Sequence, residues 1–207
     1  ELEHQLKDSG AKAIVIIENF ATTLEQCITH TPVKHVVLCA MGDMLSMPKG
    51  ALVNFVVRNV KNLVPEFFLP GAVKFNQALR RGQRVKFVKP VVSSDDIAVL
   101  QYTGGTTGVS KGAVLLHRNV IANLLQSEAW NDPVMKRVPA NEQPTSVCAL
   151  PLYHIFAFTV NMMLGLRTGG KNILIPNPRD LPAVLKELSK QTFHSFPAVN
   201  TLFNGLA

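Results

Sequence analysis

The chain has 207 residues, of which 47% are hydrophobic and 17% are charged, so a substantial core is predicted and disorder is excluded as the default. Its formal net charge of +7 permits attraction to nucleotides, nucleic acid or anionic lipid and selects none of them. The basic residues form no long run and are not interleaved with aromatic residues, which disfavours nucleic acid as a partner.

The cysteines and the N-terminus bear on the cellular setting. Cys27, Cys39 and Cys148 show no metal-ligand spacing and lie in apolar surroundings, so we expect buried, reduced thiols in a cytoplasmic protein. There is no secretory signal and no initiator methionine, and residues 1–7 resemble the tail of a helix, so we expect a piece of a longer protein. The uncharged stretch 143–166 is interrupted by Pro144 and Pro151, which favours a buried strand and helix over a membrane span.

The first predicted elements alternate between helix and strand. They are a helix at 2–7 that stops at Gly10, a strand at 13–17 covered on both faces, a helix at 20–28, a strand at 36–38 and a short helix within 71–82. This alternation predicts an α/β fold of β-α-β units with a largely parallel sheet, whose ligands bind at the carboxyl ends of its strands.

Residues 44–70 differ in character, because apolar side chains recur there at helical spacing with basic residues beside them. The apolar set is Leu52, Phe55, Val56, Val60, Leu63 and Val64, and the basic set is Lys49, Arg58 and Lys61. The simplest interpretation is a helix packed on the domain. A basic amphipathic surface that docks on the inner face of a membrane is a second interpretation, and a subunit contact in a homodimer is a third.

The second half continues the α/β pattern. The predicted elements are a buried strand at 97–100, an apolar run at 113–116, a helix to about residue 130, a surface connection at 131–144, a strand at 147–150, an apolar helix to 166, a strand at 172–175 and a helix from 200. Asp180 is predicted to cap a helix with a buried stripe of Leu181, Val184, Leu185 and Leu188.

A loop rich in glycine and hydroxyl groups follows the strand at 97–100. Its members are Tyr102, Thr103, Gly104, Gly105, Thr106, Thr107, Gly108, Val109, Ser110, Lys111 and Gly112. Glycines allow sharp turns, hydroxyls and backbone N–H groups donate hydrogen bonds, and Lys111 adds a positive charge, so the loop suits a polyphosphate. Ser110 before the lysine and Gly112 after it exclude the Walker pattern, and a purely structural turn is the alternative.

The histidines give weaker signals. His154 lies in an apolar stretch after the strand at 147–150, and from spacing alone a satisfied core histidine is the favoured interpretation. The other histidines form no metal-binding pair and no carboxylate pair stands out, so no metal-ligating residue is assigned.

Several motifs together resemble a known family. The loop resembles the signature of the adenylate-forming superfamily, and the longer set is similar to the bacterial long-chain fatty-acid–CoA ligases within it. The motifs are QYTGGTTG at 101–108, KG at 111–112, HRN at 117–119, ANL at 122–124, ALPLYHIFA at 149–157, NPRD at 177–180 and VNTLFN at 199–204. The likeness extends over essentially the whole chain and implies part of the large N-terminal, AMP-binding domain, with a β-α-β region at 1–92 and a phosphate-loop and acyl-pocket region at 93–207.

The resemblance implies an enzyme with a two-step reaction. A long-chain fatty acid attacks the α-phosphate of ATP with Mg²⁺, giving acyl-adenylate and pyrophosphate, and the thiol of coenzyme A then displaces AMP. The loop from Tyr102 to Gly112 would hold the phosphates. His154 would lie beside the acyl carboxylate and the nucleotide, as the catalytic residue, which replaces the core interpretation. The residues implied to bind the acyl substrate are Tyr153, Phe156, Val199, Asn200 and Thr201.

The same resemblance implies parts that would follow Ala207. These are a Glu that binds Mg²⁺, an Asp that holds the ribose and a C-terminal domain with a catalytic Lys, so the 207 residues alone are expected not to form acyl-CoA. Two alternatives stay open: an adenylate-forming ligase that acts on another carboxylic acid, and a basic peripheral module for lipid or nucleic acid whose loop is structural. The expected location is the cytoplasm, with peripheral attachment to the membrane.

Overall fold

The computed structural model describes residues 1–104 and 108–207. Two compact units are distinguished within them. The first comprises Glu1–Val91 with Tyr102–Gly112, and the second comprises Val92–Gln101 with Ala113–Ala207. The sequence-based division at residues 92 and 93 stays a prediction.

Short helices and strands alternate through the first ninety residues. The elements are α1 (Leu2–Asp8), β1 (Ala13–Ile17), α2 (Ala21–Glu25), β2 (His35–Cys39), α3 (Lys49–Phe55), β3 (Val73–Lys74) and α4 (Phe75–Gly82). Single 3₁₀ turns occupy Glu18–Phe20 and Ile28–His30, and a π-helical segment, Val56–Val60, continues α3.

The remaining elements lie between residues 97 and 206. They are β4 (Ile97–Thr103), β5 (Lys111–Leu116), α5 (His117–Met135), β6 (Thr145–Cys148), α6 (Ile155–Ala157), α7 (Leu164–Thr168), β7 (Lys171–Leu174), α8 (Leu181–Leu188) and α9 (Asn200–Leu206). A π-helical segment, Phe158–Met163, joins α6 to α7. In the part of the chain that the structure describes, no helix is both long and apolar enough to cross a bilayer.

The predicted β-α-β unit is confirmed by a parallel sheet in the first unit. Its strand order is β1-β2-β3, with Ile14 opposite Val36 and Val37 opposite Val73. Leu6 of α1 and Leu24 of α2 are buried in one cluster with Val36, and alternate residues of β1 pack against it.

The prediction that β1 is covered on both faces is wrong. Val15 points away from the cluster and is 64% exposed, because successive side chains of a strand point to opposite faces. The prediction that the strand at 97–100 is buried is also wrong, since Ile97 of β4 is 58% exposed. A run of apolar residues showed where these strands lie but not what covers them.

The predicted packed stripe of residues 44–70 is wrong as well. Leu52, Phe55 and Val60 are each more than half exposed, and the helix ends at Val60, before the last two stripe residues. Polar contacts hold the helix instead. The Asn54 Oδ1 accepts a 2.7 Å hydrogen bond from the Gly42 N–H, and Arg58 donates to Glu18 through two nitrogens.

The second unit is built on a parallel pair, β6 and β7, with Val147 opposite Ile173. Ser195 forms a parallel bridge to Ser146 on β6. The core consists of buried residues from both strands and from the following helices: Val147, Ala149, Ile173, Ile175, Val184 and Leu202. The parallel pairings in both units confirm the predicted α/β fold class.

Helix ends and faces were predicted less well than helix positions. Helix α5 continues to Met135, with Pro133 inside it, whereas a surface connection was predicted from residue 131. Asp180 caps α8 as predicted, since its Oδ1 accepts a 3.1 Å bond from the Ala183 N–H. Of the predicted stripe on α8, Val184 is buried but Leu185 is 52% exposed, so the prediction is wrong for that residue.

The apolar helix that follows residue 154 was predicted to run to residue 166 and ends two residues later, at Thr168. Gly169 adopts a left-handed conformation with φ of +68°, which suits glycine after the last helical residue. The three cysteines are free thiols. The expectation of burial is confirmed for Cys27 and Cys148, while Cys39 is only half-buried.

Candidate functional site

The glycine-rich loop connects the two strands of one sheet, β4 and β5. Thr103 is the last residue of β4 and Lys111 is the first residue of β5, and the side chains of both are exposed. Gly104, Gly108 and Val109 are exposed between them. Gly105, Thr106 and Thr107, which the sequence assigns to phosphate binding, lie outside the described residues.

A hydrogen bond links the two described ends of the loop. The Ser110 hydroxyl donates to the Thr103 carbonyl oxygen at 3.2 Å. Ser110 therefore joins one end of the loop to the other, whereas the sequence assigned its hydroxyl to a ligand. Lys111, where the chain enters β5, presents an exposed ammonium group that can act as a point charge on phosphate.

Tyr102 and Gly112 face each other across the base of the loop. A Cβ atom built on Gly112 would lie 2.9 Å from the Tyr102 ring, so the ring lies directly against the glycine. The Tyr102 hydroxyl donates a 2.5 Å hydrogen bond to Asp8 Oδ2, and this bond raises the pKa of the Tyr102 hydroxyl. The donor therefore stays protonated at neutral pH.

Helix α1 contributes two residues that were not predicted from the sequence. Besides Asp8, the Nε2 of His4 lies 2.9 Å from the Ser110 carbonyl oxygen. Because a carbonyl only accepts, Nε2 carries the proton in this contact. The two contacts span 106 and 94 residues of chain, and no local pattern in the sequence signals them.

His154 is exposed, so the interpretation as a core histidine is wrong. It is the N-cap residue of α6, and its Nδ1 accepts a 3.3 Å hydrogen bond from the Phe156 N–H. An accepting Nδ1 means that the proton of the neutral ring is on Nε2. The ring can therefore donate from Nε2 to an anionic oxygen.

The residues assigned to the acyl substrate lie in two segments of the second unit. Tyr153 is 81% exposed and Phe156 is 40% exposed, in the segment that follows β6. Val199, Asn200 and Thr201 are exposed where α9 begins. Since Ser195 runs parallel to β6, both segments leave this sheet at its carboxyl edge, where α/β sheets bind ligands.

A cavity of about 330 Å³ lies elsewhere in the second unit. Its walls include Glu128, Asp132, Asn161 and Lys171, and none of the residues assigned to the acyl substrate lines it. Asn161 is almost fully buried, and its Nδ2 donates 3.2 Å bonds to the Val147 carbonyl oxygen and the Ser146 hydroxyl oxygen. Other parts of its wall are apolar, among them the side chains of Met135, Val160 and Leu164.

The described residues contain no group of three or more His, Cys, Asp or Glu side chains that could hold a metal ion. In the described part of the loop, the hydroxyls of Thr103 and Ser110 are oxygen donors. Because Mg²⁺ in phosphate-transfer sites takes several of its ligands from substrate phosphates, these donors are compatible with a metal that arrives with a nucleotide.

Comparison with known proteins gives close relatives. The long-chain-fatty-acid–CoA ligases of Salmonella typhimurium and Haemophilus influenzae are 55% and 52% identical to this chain over 206 residues, and the protein of the same name in Bacillus subtilis is 28% identical over 208. Each alignment covers 100% of this chain and 36% of the relative, so the chain spans about a third of the length of the relatives it matches.

Solved structures share the fold. A long-chain-fatty-acid–CoA ligase from Archaeoglobus fulgidus matches with a TM-score of 0.56 and 25% identity, covering 100% of this chain and 33% of that one. An anthranilate–CoA ligase in complex with anthranoyl-AMP matches with a TM-score of 0.67 and 20% identity over 95% of this chain and 32% of that one.

The sequence profile of a single family, described as AMP-binding enzyme, matches residues 1–207. That match, the relatives that are more than half identical and the shared fold agree with one another. The chain belongs to the family of AMP-binding enzymes.

Proposed function

We propose that the protein carrying this chain activates long-chain fatty acids. The fatty carboxylate attacks the α-phosphate of ATP, the bond between the α- and β-phosphates breaks, and acyl-adenylate and pyrophosphate form. The thiolate of coenzyme A then attacks the acyl carbonyl carbon and releases AMP. The observation that carries this proposal is the identity of 55% over 206 residues with a relative named long-chain-fatty-acid–CoA ligase.

The loop from Tyr102 to Gly112 binds the β- and γ-phosphates in this proposal. Charge on the departing pyrophosphate grows during the first step, and an exposed ammonium group at Lys111 stabilises that charge. Backbone N–H groups at Gly104 and Gly108 suit close approach to phosphate oxygens, since no side chain intervenes. The site takes Mg²⁺ together with the triphosphate, and the metal neutralises phosphate charge when it is bound.

His154 acts at the acyl carboxylate. Its exposed ring, with Nδ1 occupied by the Phe156 N–H, donates from Nε2 to the carboxylate or to the oxygen that becomes negative when coenzyme A attacks. Tyr153, Phe156, Val199, Asn200 and Thr201 contact the acyl chain near its reactive end. Their position at the carboxyl edge of the β6–β7 sheet supports this assignment.

The test is acid-dependent exchange of radiolabelled pyrophosphate into ATP, with acetate, octanoate, palmitate, oleate and an aromatic acid compared. We expect exchange to be fastest with palmitate and oleate, and acyl-CoA and AMP to form in equal amounts when coenzyme A is added. Exchange with the aromatic acid alone would assign another adenylate-forming ligase. Absence of exchange with every acid would contradict the proposal.

The expectation that these 207 residues alone do not form acyl-CoA stays a prediction. It is tested by AMP release from the 207-residue polypeptide with ATP, oleate and coenzyme A, and robust turnover would contradict it.

We also propose that the protein works in the cytoplasm and docks peripherally on the inner face of the membrane. Leu52, Phe55 and Val60 present exposed apolar surface, and Lys49 and Lys61 beside them attract anionic lipid.

Flotation with phosphatidylglycerol vesicles tests this docking. We expect Phe55→Ser to reduce co-flotation and Trp130→Ser, on α5, to leave co-flotation unchanged. Equal flotation of both variants would contradict docking through this surface. If sedimentation shows a homodimer and Phe55→Ser dissociates it, this surface is a subunit contact.

A further inference from the structure

Helix α1 reaches both ends of the glycine-rich loop through two side chains. His4 contacts the Ser110 carbonyl oxygen at 2.9 Å, and Asp8 accepts the 2.5 Å hydrogen bond from Tyr102. The two residues are four positions apart on the helix, so they lie on one face. Ser110 precedes Lys111 directly, and Tyr102 precedes Thr103.

The same helix is anchored on its other face. Leu6 is 8% exposed and belongs to the buried cluster with Leu24 and Val36, which lie on α2 and β2. A side chain two positions from His4 and Asp8 points to the opposite side of a helix. Helix α1 is therefore a rigid base that joins the loop to the core of the first unit.

The position of Asp8 is unfavourable for the helix itself. It is the last residue of α1, where the negative end of the helix dipole disfavours a carboxylate. Helix stability therefore does not account for this residue, whereas a bond to Tyr102 does. Departures from local preference of this kind are expected at functional sites.

We propose that His4 and Asp8 are positioning residues for ATP, which hold the two ends of the loop in the arrangement that receives the phosphates. This inference rests on the proposed nucleotide site. Asp8 fixes the Tyr102 ring over Gly112, and His4 fixes the carbonyl of Ser110, whose hydroxyl closes the loop onto Thr103. Neither residue contacts a reacting atom, so the effect falls on ATP binding.

The test compares Asp8→Ala, Asp8→Asn and Tyr102→Phe in the protein carrying this chain. Asp8→Ala and Tyr102→Phe should each raise the KM for ATP about tenfold, the effect of losing one hydrogen bond to a charged group. Their double variant should be no worse than either single variant. Asp8→Asn keeps an acceptor oxygen and should retain the wild-type value, and the KM for the fatty acid should not change in any of them.

His4 has its own pair of variants. His4→Ala should raise the KM for ATP, and His4→Gln, which keeps an N–H donor at similar reach, should restore it. Glu3→Ala is the matched control for Asp8→Ala, because it also removes a negative charge from α1, but Glu3 pairs with Lys7 and His30 and not with the loop. Titration with a non-hydrolysable ATP analogue should give the same order of affinities without turnover.

Three outcomes would overturn the inference: additive effects of Asp8→Ala and Tyr102→Phe, an equal rise in the KM for the fatty acid, or loss of stability to urea with ATP binding unchanged. Its failure is distinguishable from failure of the proposed function. If the wild-type protein exchanges pyrophosphate and Asp8→Ala matches it, only the positioning role is wrong. If the wild-type protein binds no ATP, both are wrong.

Discussion

Gly112 lies so close to the Tyr102 ring that a Cβ atom on it would come within 2.9 Å of Cζ and 3.1 Å of Cε2. Because Asp8 holds the hydroxyl of that ring, the ring cannot move away without losing a hydrogen bond. Residue 112 is therefore restricted to glycine by a neighbour ten positions earlier in the chain.

We predict that Gly112→Ala lowers the free energy of unfolding by about 1–2 kcal/mol, the range for overpacking a filled site. Urea denaturation measures this. Gly82→Ala at the end of α4 is the control, since its Cβ would meet nothing within 4 Å. In a Tyr102→Ala background the effect of Gly112→Ala should disappear, and an equal effect in both backgrounds would contradict the contact.

The pair of Glu18 and Arg58 gives a second prediction. Glu18 is 8% exposed, and its carboxylate accepts hydrogen bonds from the Nε and Nη2 of Arg58 at 2.9 and 2.8 Å. This bond raises the pKa of Arg58. We predict that Arg58→Ala destabilises the protein by about 2 kcal/mol, since it leaves a buried carboxylate unpaired.

Arg58→Lys should recover only part of that loss, because an ammonium group cannot make the two-point contact. The double variant Glu18→Gln with Arg58→Ala should be more stable than Arg58→Ala alone. Urea midpoints test both statements, and a stability of Arg58→Ala equal to that of the wild type would show that the pair contributes nothing.

The thiols give a prediction about pH. Burial raises the pKa of Cys27, Cys39 and Cys148, so each holds less thiolate at neutral pH than a free cysteine does. Any stability that the protein gains from keeping these thiols protonated is present below the pKa of the thiols in the unfolded chain. That stability is lost as the pH rises through the higher pKa of the thiols in the folded protein.

We therefore expect slow alkylation by iodoacetamide in the native protein, with half-buried Cys39 reacting before the other two, and faster reaction as the pH is raised. Peptide mass spectrometry identifies the modified site. Equal rates for Cys148 in native buffer and in urea would contradict its burial.

Asn161 gives a prediction for the second unit. It is 1% exposed, and its Nδ2 donates to the Val147 carbonyl oxygen on β6 and to Asn172 Oδ1 on β7. Asn161→Ala should destabilise the protein by about 2 kcal/mol, because the buried acceptors lose their donor. Asn204→Ala, at an exposed position on α9, is the control and should leave the urea midpoint unchanged.

The sequence predicted the features that depend on neighbouring residues. The parallel strands β1, β2, β6 and β7 follow from short apolar runs, and the cap at Asp180 follows from a polar residue before an apolar helical stripe. The family was also accessible, because its motifs are local and are spread along the chain.

Features that depend on distant partners were not predicted. Phe55 was assigned to a buried stripe and, from spacing alone, His154 to a core, since both have apolar neighbours in sequence, yet both are exposed. The contacts of His4 and Asp8 with the loop join segments about a hundred residues apart. Periodicity says which side chains share a face but not what covers that face.

Lys111 decides whether the loop holds nucleotide. The measurement is pyrophosphate exchange with palmitate in the Lys111→Ala variant, beside Lys186→Ala, which removes the same charge from the exposed side of α8. We expect Lys111→Ala to lower the exchange rate about 100-fold, the scale of losing one charged donor at a developing anion, and Lys186→Ala to match the wild type. Exchange at the wild-type rate in Lys111→Ala would contradict phosphate binding by this loop.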